Sequence, residues 1–553
     1  MILTPDETSR RNIETGVWSR VTLDQVFRKR LAADGDDVAF RDCGASHVPG
    51  LSASLTFAEA ERRIEGLAAF FASLGLKPDT VLGIHLPACA DAAIIMLAAL
   101  RAGMVVCPLP IYWTKKEIET AIAAAAIRGI VTASEIEADP SGELVRDVAA
   151  DTFAIRFVFS VGRGAPDGLI TLDDIWADLD HLGPAPEVTR RGNAADHTAL
   201  LSIAAAPDDR LVVVPHSHNH LVASALAHLL EGGIAGPETI LTTMHPASVA
   251  TVAGAMLTAF LAGGAVAFHH GVSLEDLGEA VAAAGCDRLL LPAAFAAAAD
   301  VVTAPEIAFS MVSTGLESVA PPHLARARKA VDLVTVGGTC LLPIARGADG
   351  APGVLPIGPA HLPSRGGAGG PVFYETRVRS RQPRTGERRG ERAPSELQLR
   401  GPIVPDAPWP EPTSGASGAV LGFTSDGFLR TGLLAEPSED QTGLSIDGPV
   451  HDSVVVAGRA LSASRLDALF RRHPDVADAA VFRIAGGEGP DRLGLAVVAR
   501  SGRQPDYYAL LDWLDAEGAG ALDRPGSMIA VPEIPRAADG TVLRDTLLWK
   551  AVA

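Results

Sequence analysis

LTFAEAERRIEGLAAFFASLGLKPDTVLGIHLPACADAAIIMLAALRAGMVVCP, residues 55–108, carries the alternation from which the fold is read. Thr56 and Glu59 stand three apart before an apolar stripe, the spacing at which two side chains cap each other's amides at a helix start. The stripe runs to Leu74, where Gly75 and Pro78 supply the stop. Residues 81–86 then read as a strand, 91–102 as a helix ended by Gly103, and 104–108 as another strand. An order of strand, helix, strand, helix implies parallel sheets covered by helices.

The same alternation returns between 220 and 338, with strands expected at 240–244, 265–268, 288–291 and 333–336 between alanine-rich helical stretches. The uncharged run 251–268 approaches membrane-spanning length, but Gly263-Gly264 divides it, so a buried helix and strand are expected. From 373 to 404 the pattern changes to short alternating segments with turn signals such as Arg384-Thr385-Gly386-Glu387, predicting an antiparallel, barrel-like part. Beyond Gly448, strands at 454–456, 479–483 and 493–499 with a helix at 464–472 predict a small α+β unit.

Length 553 calls for two or more domains, each with its own core. A net charge of -19 and a pI near 5.2 argue against a nucleic-acid surface, which needs clustered Lys and Arg. Cys43, Cys89, Cys107, Cys286 and Cys340 form no CxxC pair or even framework, which fits a reducing cytoplasm. Pro5, Asp6 and Glu7 replace the basic start of a secretory signal, so neither export nor a membrane partner is expected.

Four stretches then follow in a telling order: Leu55-Thr56-Phe57-Ala58-Glu59-Ala60, Glu396-Leu397-Gln398-Leu399-Arg400-Gly401-Pro402, Asp426-Gly427-Phe428-Leu429-Arg430-Thr431-Gly432, and Arg472-His473-Pro474-Asp475-Val476-Ala477-Asp478-Ala479-Ala480. They resemble motifs of acyl-CoA synthetases of the adenylate-forming superfamily, over almost the whole chain. The resemblance implies an α/β multidomain protein, with a large N-terminal domain of helix-covered sheets plus a barrel-like subdomain, and a small mobile α+β C-terminal domain. The large domain would be 1–450, with its barrel-like part at about 370–447, and the small one 451–553 beyond a hinge at His451 and Asp452. It also implies a two-step reaction, in which carboxylate and ATP give an acyl-adenylate that CoA converts to a thioester.

Set against that pattern, the ATP side is eroded. The phosphate loop TSGTTGxPKG falls on Ala204-Ala205-Ala206-Pro207-Asp208-Asp209-Arg210-Leu211-Val212-Val213, with Val212 in the lysine's place and two aspartates beside any polyphosphate. YGxTE falls on Val336-Gly337-Gly338-Thr339-Cys340, retaining Thr339 but putting Cys340 where a magnesium-binding Glu is expected. Leu433 replaces the ribose-binding Asp of TGD, Pro449 the following Arg, and Thr541 the adenylation lysine. At about 3 kcal/mol per lost preorganised group, three losses slow adenylation roughly 10⁶-fold before any allowance for non-additivity.

The CoA side matches better. Val454-Val455-Val456-Ala457-Gly458-Arg459 resembles the strand and glycine turn that line the CoA tunnel, making Ala457, Gly458 and Arg459 the expected CoA-binding residues. His245, in Thr243-Met244-His245-Pro246, resembles a histidine beside the acyl and CoA pockets, and with Thr339 forms the expected catalytic pair. Gly315, Leu316, Val336, Gly337, Gly338 and Thr339 would bind the acyl-adenylate. The implied activity is a non-adenylating acyl-CoA ligase, as in antibiotic biosynthesis, with CoA as co-substrate and no metal. Its acyl-adenylate would come from a separate adenylating enzyme, and its acid would be bulky and hydrophobic to offset lost ribose contacts. A homodimer is one open oligomeric state.

Blander readings stand beside these. His216, His218 and His220 alternate, which on a strand puts three possible zinc ligands on one face, but a structural role is preferred because related sequences carry a similar His-x-His. Gly366-Gly367-Ala368-Gly369-Gly370 reads as a linker, and the arginines from Arg377 to Arg392 as a solvated loop. His245 reads about equally well as a core histidine; Gly458 also reads as a hairpin turn, but its place within an extended match favours the tunnel. The rival functions are a binding pseudoenzyme and a complete ATP-dependent ligase in which Arg210 or Lys550 takes over a charge role.

Overall fold

The helix expected behind Thr56 forms over Phe57–Ser73, where Thr56 Oγ1 accepts from Glu59 N at 3.2 Å and Glu59 Oε2 accepts from Thr56 N at 2.8 Å. The next helix, Ala90–Arg101, is buried at every position from Ala90 to Leu100. A helix apolar on all sides belongs in a core, and these two helices share the largest apolar cluster with strands of two parallel sheets. The computed structural model describes residues 1–43, 54–205, 211–270, 274–296, 307–313, 327–361, 370–380, 395–410, 421–438, 443–449, 453–456, 459–484, 492–503, 505–517, 519–520, 523–536, 542–544 and 546–547.

The first sheet has eight strands in the order Leu342–Ala345, Ala330–Val334, Ala308–Ser313, Arg288–Pro292, Thr239–Thr242, Ala265–Phe268, Val38–Asp42, Ser54–Thr56. Its six inner strands run parallel and its two edge strands antiparallel. The second has seven, ordered Ile170–Thr171, Phe157–Val161, Ile127–Ala133, Val81–His85, Val105–Pro108, Thr198–Ala205, Leu211–Ser217, parallel except for the closing hairpin. The expected alternation is therefore present in both halves.

The barrel-like region is a six-stranded antiparallel sheet that starts at Leu355–Pro356, ahead of the expected 370, and ends at Gly443–Pro449. After 453 come the hairpin Ser453–Val456 with Arg459–Ser462, the helix Ala463–Arg471 and a three-stranded sheet. These residues fill two apolar clusters of their own. The expected hinge residues His451 and Asp452 lie outside the described residues.

Two expectations need correction. The strands expected at 240–244 and 333–336 stop at Thr242 and Val334, so 243–245 and 335–336 lie beyond the sheet. In the run 251–268 the glycine break is real, but Ala250–Leu257 is a π-helix that passes into the α-helix Thr258–Ala262 before the strand Ala265–Phe268. No helix among the described residues is long and apolar enough to cross a membrane.

Gly263 turns the chain at φ +88°, and Gly264 brings it so close to Glu238 that a Cβ there would lie 1.9 Å from the Glu238 carbonyl oxygen. Backbone must move to accept even a methyl group. Gly264→Ala is expected to destabilise the protein by about 1–3 kcal/mol, read as a lower denaturant midpoint; an unchanged midpoint contradicts this packing.

Candidate functional site

Parallel sheets bind ligands outside the carboxyl ends of their strands, where loops gather exposed backbone groups. His245 follows strand Thr239–Thr242 at that edge, and Val336, Gly337, Gly338 and Thr339 follow Ala330–Val334. Gly315 and Leu316 come just after Ala308–Ser313 in sequence but lie outside the described residues. Topology thus brings His245 and the 336–339 turn to one edge of one sheet.

His245 is half-buried, and its Nδ1 accepts from Ala247 N at 3.0 Å. The neutral ring consequently carries its proton on Nε2, a donor suited to a carbonyl oxygen. Its own carbonyl accepts from Thr251 Oγ1 at 2.7 Å, which fixes the backbone of the turn.

Residues 336–338 form a 3₁₀ turn with Gly338 at φ +78°, a backbone value that favours glycine. Thr339 is buried, and its Oγ1 donates to Val336 O at 2.6 Å. Its single proton is therefore committed to its own turn, and holding an adenylate phosphate would require the hydroxyl to rotate. The turn packs against strands Thr198–Ala205 and Leu429–Pro437. Ser202 Oγ donates to Gly338 O at 3.0 Å and lies 2.8 Å from His216 Nε2. With the serine proton on Gly338 O, His216 Nε2–H donates to the hydroxyl across the hairpin, and the Ser202–Gly338 bond ties this sheet to the turn that follows the other. Sequence reasoning missed Ser202, since a serine inside Leu200-Leu201-Ser202-Ile203 carries no signal of a partner on another sheet.

The eroded positions share one surrounding. Val212 pairs with Ala204 across the hairpin and is 7 % exposed, Cys340 is 1 % exposed and Leu433 is 3 % exposed. All three pack into a single apolar cluster with Val336 and Leu399. Burial pushes the Cys340 thiol up to about 12, so it stays protonated and offers no thiolate to a metal. Leu433 stands directly opposite Pro449 on the neighbouring strand, so both expected ribose positions are apolar together. Thr541, Ala457 and Gly458 lie outside the described residues; Arg459 begins the strand Arg459–Ser462.

The three alternating histidines do not share a face, because the strand ends at Ser217 and a helix starts at His218. His216 meets Ser202, His218 Nδ1 accepts from Leu23 N at 3.2 Å, and His220 Nδ1 accepts from Ser217 N at 3.2 Å in a capping box. His220 Nε2 also lies 3.1 Å from Asp406 Oδ2. No cluster of three or more His, Cys, Asp or Glu among the described residues is placed to hold a metal.

Burial lowers His216, His218 and His228 each to about 3, with neighbouring cationic groups adding to it. The unfolded chain, titrating near the ordinary 6.5, binds more protons between these values. Their stabilising effect is therefore complete above about pH 6.5 and is lost as pH falls toward 3. The free energy of unfolding is expected to fall between pH 7 and pH 5 by roughly 1–2 kcal/mol per histidine, read from denaturant titrations at each pH. His218→Asn, whose Oδ1 still accepts from Leu23 N, should flatten that slope; an unchanged slope contradicts the assignment.

Comparison with known proteins places this geometry. Residues 27–180 match the family model "AMP-binding enzyme". A salicyl-AMP ligase / salicyl-S-ArCP synthetase of Mycobacterium tuberculosis is 25 % identical over 533 residues, covering 95 % of this chain and 90 % of its own. A 2-hydroxy-7-methoxy-5-methyl-1-naphthoate–CoA ligase of Streptomyces carzinostaticus is 22 % identical, covering 93 % and 95 %. Among solved structures, apo MbtA of Mycobacterium smegmatis superposes with a TM-score of 0.63 at 21 % identity, covering 99 % and 98 %. The anthranilate CoA ligase AuaEII, solved with anthranoyl-AMP, gives 0.61 at 14 %, covering 97 % and 98 %. The match at the start of the chain, the near full-length relatives and the common architecture agree: residues 27–180 match the AMP-binding enzyme family, and the chain shares the fold of the adenylate-forming enzymes over nearly its whole length.

Proposed function

We propose that the protein is an acyl-CoA ligase confined to the second half-reaction, converting a preformed acyl-adenylate and CoA into acyl-CoA and AMP. One observation carries this reading: Val212, Cys340 and Leu433, standing where the resemblance expects Lys, Glu and Asp, are packed together in one buried apolar cluster. A charge introduced there would lie unpaired in a low-dielectric interior, at a cost of several kcal/mol.

Thioester formation is less demanding. The CoA sulfur attacks the acyl carbon, the carbon–oxygen bond to phosphate breaks, and AMP leaves with the electron pair while the thiol proton passes to solvent. His245 Nε2–H would hold the acyl carbonyl oxygen as negative charge develops on it, and alignment of the thiol supplies much of the rate. Pantetheine would enter past Ala457, Gly458 and Arg459, with the small domain turning at His451 and Asp452. The adenylate would come from a separate adenylating enzyme. The names of the relatives, a salicyl-AMP ligase, a naphthoate–CoA ligase and an anthranilate CoA ligase, favour a bulky aromatic acid.

Purified protein supplied with synthetic aryl-AMP and CoA should release acyl-CoA and AMP, and should give no pyrophosphate exchange with ATP and the same acids. Exchange at a rate matching thioester formation would make it a complete ligase, and no thioester from a broad acyl-AMP panel would leave a binding role. His245→Ala should lower kcat for thioester formation by about 100-fold, with little change in adenylate affinity. Wild-type kcat in that variant would remove His245 from the mechanism.

A further inference from the structure

The π-helix Ala250–Leu257 begins five residues after His245 and is buried throughout. Such helices are rare, because widening the turn strains the backbone and displaces its carbonyls, and they recur beside functional sites. Side chains hold this one at both ends. Thr251 Oγ1 donates to Met244 O at 3.0 Å and His245 O at 2.7 Å, and Thr258 Oγ1 donates back to Ala253 O at 2.8 Å. In its middle, Gly254 lies so close to the sheet that an added Cβ would meet Leu290, Leu333 and Leu341 at 3.2–3.4 Å.

The Gly254 carbonyl accepts a hydrogen bond at 2.9 Å from Nδ1 of His228, a fully buried residue on the helix His218–Glu231. A carbonyl only accepts, so Nδ1 carries the proton and Nε2 is the acceptor. Ser310 Oγ meets that acceptor at 2.7 Å and receives Arg288 Nη1 at 3.4 Å. Arg288 is in turn fixed by Glu238 Oε2 at 2.8 Å and Gly232 O at 3.0 Å. Donor directions run one way, from Arg288 through Ser310 and His228 to the π-helix.

We propose that His228 is a positioning residue, which as the Nδ1–H tautomer holds 250–257 in its π form and, through Thr251, sets the backbone of the His245 turn. Lacking that donor, the Gly254 carbonyl loses its side-chain partner, and the segment gains by relaxing to the tighter α repeat. Relaxation rotates Thr251 away from the carbonyls of Met244 and His245, so the histidine loses its aim without losing its pocket. The link to rate rests on the thioesterification reading given above.

Two isosteres separate the bonds. Asn at 228 presents an amide near the Nδ1 position and keeps the donor to Gly254, whereas Gln reaches toward Ser310 and leaves Gly254 unmet. His228→Asn should retain thioester kcat within a few-fold, while His228→Gln should lose about 100-fold with KM for acyl-adenylate little changed. Hydrogen exchange should quicken over 250–258 in the Gln variant and stay at the wild-type rate in the Asn variant. Because exchange is read without turnover, it tests His228 even if the wild type forms no thioester, an outcome that would sink only the functional reading. Equal exchange and equal kcat in the two variants would overturn the proposal, as would a Gln variant as fast as wild type.

Discussion

A charge cannot stand unpaired inside packed hydrocarbon without several kcal/mol of compensation. That constraint governs the region between the closing hairpin, the 336–339 turn and the antiparallel sheet, where Val212, Cys340, Leu433, Val336 and Leu399 belong to one buried apolar cluster. The cluster stabilises the junction of three sheets by burial, and it does so with apolar residues at the positions where triphosphate chemistry needs charge. Under the proposed function, the packing that stabilises this junction is also what would disfavour triphosphate.

Several polar groups at the same edge are committed to backbone partners. Ser202 links the hairpin to Gly338, Thr339 turns back onto Val336, and Thr251 fixes the carbonyls of Met244 and His245. Each hydrogen bond removes freedom from a loop that strand geometry alone would leave loose. His245 Nδ1 likewise accepts from the Ala247 amide, which places the proton of the neutral ring on Nε2. The described part of this edge is thus held by hydrogen bonds to backbone.

Much of the architecture was legible in the sequence because its signals are local. Thr56 and Glu59 made their capping box, Gly75 and Gly263 took left-handed turns, and the parallel strands fell within a few residues of their expected places. The π-helix was not legible, since it depends on donors from Thr258 and His228 that sequence spacing does not associate with 250–257. The zinc alternative for His216, His218 and His220 needed all three on a strand, and alternation over five residues does not distinguish a strand end from the capped first turn that is found. Of the candidate site, positions tied to strand ends, His245 and Thr339, could be located from sequence order. The bonds that orient them could not, because Ser202, His216 and Gly338 meet only after two sheets pack.

The central claim concerns which nucleotide the folded site accepts. Calorimetric titration with a non-hydrolysable aryl-adenylate analogue and, separately, with ATP and magnesium measures this without turnover. Saturable binding of the analogue alone is the predicted result. Binding of ATP and magnesium as tight as that of the analogue would contradict the account.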